Sequence, residues 1–333
     1  MDLRKVQLTG GSSITVTLPK TWIDKSKIKP GDVVGFTEQS DGSLAVYSHI
    51  KGERALEEFA IEVDEVEQAY LFRKIIAAYL MGYDVIRITA KRPLSADARQ
   101  IIRQAVRRIV GLEIVDEQTS SITMQDFLDP REFHMEKAVR RMGILTQAMQ
   151  EEAIGALRNP RPEIAQSEED RDAEVDRLYW LVNKQYHAIL RDSNYAAKMG
   201  LNAPQALNFL LVARLLERTA DHADRIANEA LILGPLKLPT SFIDRLEKHA
   251  RKSVDLFQTA IQIFARRDPK KANAIIDEAD KFQEGQKKFL REASDLGGEA
   301  VAHLAFVIES IGRTAAYAAD LGEIAINHYV ASQ

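Results

Sequence analysis

Glu217, Asp221, Asp224 and Asn228 lie at successive spacings of four, three and four residues. At about 100° per residue on a helix they fall within about 60° of one another. Three carboxylates and an amide then share one stripe, where like charges four residues apart repel. A cation relieves that repulsion, and hard oxygen donors of this kind suit Mg²⁺, Mn²⁺, iron or Zn²⁺. A stripe on one helix needs a second helix to complete a shell. Glu169, Asp172 and Asp176 share a face by their spacing, and Asp277, Asp280 and Glu284 repeat that spacing further on. Glu309 is the last candidate, in a helix similar to the one that carries Glu217.

An acidic stripe is ordinarily a solvated face. Three such stripes at matching places in a duplicated pattern weigh against that reading. The Leu216, Ala220, Ala223 and Ala227 side of the same helix is small and apolar, suited to close packing. The carboxylates therefore belong at the boundary between core and solvent. On the other flank Arg218, His222, Arg225 and Glu229 read as a solvent-facing stripe, whereas the corresponding Ser310, Thr314, Tyr317 and Leu321 carry almost no charge. That second face is expected to be covered by the N-terminal half or by a second subunit. Arg313 stands four residues after Glu309 and can pair with it, so Glu309, Asp277 and Asp280 form the weaker of the two candidate metal sites. Ala173 in the first repeat occupies the place of Asp277 in the second.

Positioning these residues requires a bundle. From Pro130 onward the apolar spacing predicts six helices, at about 133–158, 163–191, 203–233, 240–266, 270–295 and 298–331, each break carrying Gly, Pro or Asn. They divide into two three-helix repeats, about 133–234 and 236–333. Upstream, residues 51–130 read as β-α-β-α-β-β, a small α/β module of possible ferredoxin-like form, with Ser95 capping its second helix. Residues 1–50 read as short strands, a helical turn over Lys20–Ser26, and a hairpin closed by Asp41-Gly42.

The run Leu216-Glu217-Arg218-Thr219-Ala220-Asp221-His222-Ala223-Asp224-Arg225-Ile226 resembles the Leu-Glu-Arg-Ile-Gly-Asp-His-Ala-x-x-Ile signature of PhoU proteins. The six-helix layout over about 133–333 is similar too. The resemblance implies that Glu217, Asp221 and Asp224, with Asp172 and Asp176 from the second helix, bind a divalent metal or iron cluster on the bundle surface. It also implies phosphate homeostasis as the role, acting on a phosphate transporter ATPase or a sensor kinase.

The segment from Arg4 to Lys20, continuing through Trp22, Ile28-Lys29-Pro30-Gly31-Asp32 and the Asp41-Gly42 turn, resembles a SpoVT/AbrB swapped-hairpin domain. Such domains are dimers; many bind DNA and others serve only as dimerisation handles. So short a segment buries too little surface alone, which also favours a homodimer. Residues 1–31 hold six Lys/Arg against two acids, and Arg4, Lys5 and Lys20 are the candidate phosphate contacts. A second basic stretch, with Arg99, Arg103 and Arg107 four residues apart, reads as a solvated face or a contact for DNA, a phosphate-bearing ligand or the acidic helices.

The rest of the composition narrows the classes. The net charge of −4 rules out a general polycation, and the absence of Cys rules out disulfides and thiolate metal sites. No phosphate-binding Gly loop, nucleophile elbow or HExxH pair occurs. The N-terminus carries no apolar stretch of signal-peptide length, so the expectation is a cytoplasmic protein that does not itself enter a membrane. Fold and motif together predict a multidomain, mainly α regulator rather than an enzyme. The alternatives are an adaptor that does not touch DNA and, behind it, a carboxylate-bridged metalloenzyme.

Overall fold

The computed structural model describes residues 3–38, 42–48, 56–63, 68–128, 133–236 and 238–332. The chain divides into two compact units, residues 1–55 and 56–333.

The first unit contains β1 (Gln7–Thr9) and β2 (Ser13–Thr15), which pair antiparallel, then α1 (Lys20–Ser26) and the antiparallel pair β3 (Gly35–Glu38) and β4 (Leu44–Tyr47). Gly10 and Gly11 turn the first hairpin with φ of 66° and 88°, the left-handed region where a Cβ would strain the backbone. Asp41, expected at the second turn, lies outside the described residues. Leu8, Ile14 and Val33 are 70%, 73% and 67% exposed, and among the described residues of this unit no side chain is buried.

The second unit begins with an α/β module: β5 (Glu58–Glu62), α2 (Gln68–Leu80), β6 (Val85–Thr89), α3 (Ala96–Arg108), β7 (Leu112–Glu117) and β8 (Ser121–Asp126). The alternation of buried Ile86 and Ile88 with half-buried neighbours gives β6 one core face. Ser95 caps α3 by accepting from the Ala98 N–H at 3.1 Å, as the sequence predicts. The sheet order is β5-β6-β8-β7, with β5 parallel to β6 and the remaining pairs antiparallel. The ferredoxin-like expectation is therefore wrong. That form runs β-α-β-β-α-β; here the order is β-α-β-α-β-β, the first two strands are direct parallel neighbours and a terminal hairpin follows the second helix.

Long helices follow: α4 (Met135–Ala156), α5 (Pro162–Arg191), a short α6 (Ser193–Met199), α7 (Ala203–Leu233), α8 (Thr240–Arg266), α9 (Pro269–Leu296) and α10 (Ala300–Val330). The sequence reading missed α6, which starts where extended Asp192 ends α5. Pro162, Pro204 and Pro269 sit in first turns, where a missing N–H costs nothing. Asn202 and Gln205 form a reciprocal capping box for α7.

The two repeats, α4–α5–α7 and α8–α9–α10, share one apolar core. Gly312 allows α9 and α10 to close: a Cβ there would lie 2.8 Å from Gln286 Cδ. Gln286 instead donates to the Ile308 carbonyl, and Gln283 donates to the Gly312 carbonyl at 2.9 Å.

The seam between repeats corrects two expectations. Ser310, Thr314, Tyr317 and Leu321 are buried, but α7 of the first repeat packs along their helix. His222 bonds Ser310 Oγ at 3.1 Å and Tyr317 Oη at 3.4 Å, His303 bonds Glu229 at 2.6 Å, and Arg225 lies over the Phe306 ring. The stripe expected to face solvent is thus half interface, because the duplicated helices pack against each other.

Candidate functional site: a carboxylate cluster between α5 and α7

α5 and α7 run side by side and present their acidic stripes to one another. Glu217 is half-buried and accepts from Arg214 Nη1 at 2.9 Å; the Arg214 guanidinium lies 5.3 Å from the centre of the Tyr179 ring on α5. Asp224 accepts from Asn228 Nδ2 at 3.1 Å. Asp221 and Asn228 are exposed. From α5 come Asp172 and Asp176, both half-buried. The stripe lies at the core–solvent boundary, where its spacing places it.

Glu168 belongs to this cluster and sequence reasoning missed it. It is fully buried, whereas the chosen Glu169 is exposed. The signal was available: 168, 172 and 176 are each four residues apart. Arg171 reaches Glu168 at 3.4 Å and Glu152 of α4 at 2.8 Å, which closes that end of the cluster.

The electrostatics follow from burial among like charges. Desolvation first, then the neighbouring acids, push Asp172 up to about 7. Desolvation and Asp221 push Asp176 up to about 6, against the pull of Arg108 and Arg214. Glu217 rises to about 7, through burial and Asp221. Glu168 rises to about 8, through burial and against Arg171. Asp221 and Asp224 also rise, chiefly by desolvation, against the pull of Arg214 on Asp221 and of the Asn228 hydrogen bond on Asp224. Glu168 Oε2, Asp172 Oδ1 and Glu217 Oε2 are buried without any hydrogen-bond partner. Such atoms cost stability unless a proton or a cation satisfies them.

As a donor set this suits a hard divalent cation. Geometrically it is not closed: among the described residues, no group of three or more His, Asp or Glu side chains is arranged to hold a metal.

The second repeat differs. Glu309, Asp277 and Asp280 are all exposed, so they lack the burial that perturbs the first set. Arg313 does sit beside Glu309, at a loose 3.8 Å with both side chains more than half exposed.

The α/β module reaches the cluster through α5. Arg108 acts on Asp176, and Trp180 packs edge-on to Phe72 at 6.4 Å. Lys184 and Asp126 form a buried ion pair, with the ammonium 4.4 Å from the Tyr79 ring centre. The basic face of α3 is partly consumed within the module. Arg99 bonds Glu117 at 2.5 Å and the carbonyls of Gln118 and Thr119, and Arg103 shares Glu117. In the first unit, Arg4, Lys5 and Lys20 are exposed.

These features define a class: a mainly α protein of two three-helix repeats with a carboxylate cluster at one helix pair, preceded by an α/β module and a small β-hairpin unit. Comparison with known proteins matches two segments. Residues 139–230 match the family model of the PhoU domain, and residues 7–54 match that of MazE, a bacterial antitoxin family described as antidote-toxin recognition. Two segments are therefore similar to known domains, residues 139–230 to the PhoU domain and residues 7–54 to a MazE/AbrB-type domain. Among solved structures, PhoU from Pseudomonas aeruginosa matches at 19% identity with a TM-score of 0.50, over 60% of this chain and 96% of that one, which shows the shared bundle fold. No curated protein sequence matches the chain. Among the described residues, no helix is long and apolar enough to cross a membrane.

Proposed function

We propose that this chain is a dimeric regulator of phosphate uptake whose PhoU domain binds a divalent metal at Glu217, Asp221, Asp224, Asp172 and Asp176, with Glu168 behind them. The observation that carries the reading is the α5–α7 cluster, with three unpartnered buried carboxyl oxygens inside or beside the PhoU-matched segment. A bound cation would satisfy those oxygens, draw the carboxylates together and stabilise one arrangement of the bundle by differential affinity. The residues then serve as ligands and positioners, in keeping with a regulator rather than an enzyme. In the second repeat, exposed Asp277, Asp280 and Glu309 and the adjacent Arg313 make a weaker site.

The N-terminal unit supplies the output. Its exposed Leu8, Ile14 and Val33 fit a dimer in which a second copy covers them. Exposed Arg4, Lys5 and Lys20 then double into a basic surface for DNA phosphates.

Titration of chelator-treated protein with Mn²⁺, followed by calorimetry, tests the metal; saturable binding that Asp221→Ala weakens is expected. No binding at millimolar Mn²⁺ would sink it. Titration on DNA from the protein's own upstream region tests the output. Affinity should fall steeply with salt, and the Arg4→Ala/Lys5→Ala/Lys20→Ala variant should flatten that dependence. Failure to bind at every salt concentration would leave an adaptor that meets a transporter ATPase or a sensor kinase, with the hairpin unit only dimerising.

A further inference from the structure

A cavity of about 360 Å³ lies on the seam of the two repeats, lined by α4 and α7 of the first and by α8 and the end of α10 from the second. It is far from being a generic groove. Phe209 and Phe264 pack edge to face at 5.4 Å, and both lean on the His328 ring, at 5.3 and 4.7 Å. His328 is only 2% exposed, and its Nδ1 has no hydrogen-bond partner. Gln258 lines the same cavity, and its Nε2 is also buried and unpartnered. Native proteins rarely leave such atoms unmatched, and two of them in one cavity call for a polar partner, an acceptor for the Gln258 amide and for the Nδ1–H tautomer of His328.

The charge around the opening fits that acceptor. Arg140 and Arg267 line the cavity as exposed side chains, and neither makes an ion pair among the described residues. Glu136 lines it too, so the excess is a single positive charge. Burial, then Arg267, holds His328 below its ordinary value, with Glu136 opposing; the ring is neutral near pH 7 and can offer Nδ1–H.

We propose that this cavity binds a small monoanion with an apolar body, a carboxylate on a compact aromatic or branched frame. The carboxylate accepts from Gln258 Nε2 and His328 Nδ1–H under the field of Arg140 and Arg267, and the body packs on Phe209 and Phe264. The volume is of small-molecule scale, and a free inorganic anion would leave the aromatic floor wet. Because both repeats contribute walls, occupancy favours one arrangement of the seam, independently of the α5–α7 cluster.

Calorimetric titration of the full chain with phenylpropionate tests this. One saturable site per chain is expected, with phenylpropanol about tenfold weaker. Arg140→Gln/Arg267→Gln should weaken the acid and leave the alcohol unchanged. Gln258→Leu should match or exceed the wild-type melting temperature, because it removes an unpaired buried amide, while losing about tenfold in affinity for the acid. Asp221→Asn should leave binding unchanged, which separates this site from the metal reading. No saturation at millimolar phenylpropionate would overturn the proposal, as would equal affinity for inorganic phosphate. A lower melting temperature for Gln258→Leu would overturn it too, by showing that water already satisfies the amide. So would self-association that Ile144→Arg abolishes in the absence of acid binding, which would make the cavity a contact between copies.

Discussion

Asp172→Asn isolates the strain in the α5–α7 cluster with minimal change of shape. Asp172 Oδ1 is buried and unpartnered, and Asp176, Asp221, Asp224 and Glu217 all act on the same carboxyl. Its carboxyl is raised from 3.8 to about 7. At about 1.4 kcal/mol per pH unit, that displacement is worth at most about 4 kcal/mol. The side chain is only half-buried and its neighbours can reorient, so solvent screening reduces the effect to about 1–2 kcal/mol. The sign follows from linkage. A carboxyl raised in the folded state contributes stability that is full below about pH 4 and is lost as pH rises through about 7. The metal-free variant should therefore be more stable than wild type by about 1–2 kcal/mol at about pH 8, and nearly equal to it at about pH 5. Urea unfolding in chelator at the two pH values measures this. With millimolar Mn²⁺ added, the order should reverse, because the wild type gains a ligand that the variant lacks. A destabilised variant at the higher pH, or the same change at both, would refute the reasoning that a crowded, desolvated carboxylate defines this site.

The junction of module and bundle should be sensitive to half of an ion pair. Lys184→Met leaves the Asp126 carboxylate buried without a counter-charge, held only by the Leu128 N–H, and should cost about 3–5 kcal/mol in urea unfolding, much of it recovered by adding Asp126→Leu. At the repeat seam, burial and Arg225 pull His222 down to about 4. Its contribution is present above about pH 6.5 and lost as pH falls toward about 4. His222→Gln, which keeps a polar partner for Ser310, should flatten that acid limb in melting-temperature scans. Gly312→Ala should destabilise the second repeat, since a Cβ there meets the Gln286 amide; the lost contact should appear as faster hydrogen exchange in α9.

Much of the molecule was legible in its chain. Helix ends fell where Pro and Asn mark them, because those residues act locally: Asn202 caps α7 and Ser95 caps α3. The stripe of Glu217, Asp221 and Asp224 was visible because spacing on a helix fixes a face whatever packs against it. The PhoU and hairpin resemblances rested on such local runs, and the family matches agree with them. What periodicity does not encode is the partner of a face. The choice of exposed Glu169 over buried Glu168 turned on the rotation of α5 against α7. The ferredoxin-like form failed first on element order, which was already legible as β-α-β-α-β-β; only the neighbours of β6, which pairs with both β5 and β8, were set by non-local pairing. His222 and Glu229 looked like surface charge until α10 was seen to supply Ser310, Tyr317 and His303. Local residue chemistry determined by itself where the acids stand along their helices. Only tertiary packing decided which of them lose water, and it is that loss, in the α5–α7 cluster and not around Asp277, Asp280 and Glu309, that sets the candidate site apart from a charged surface.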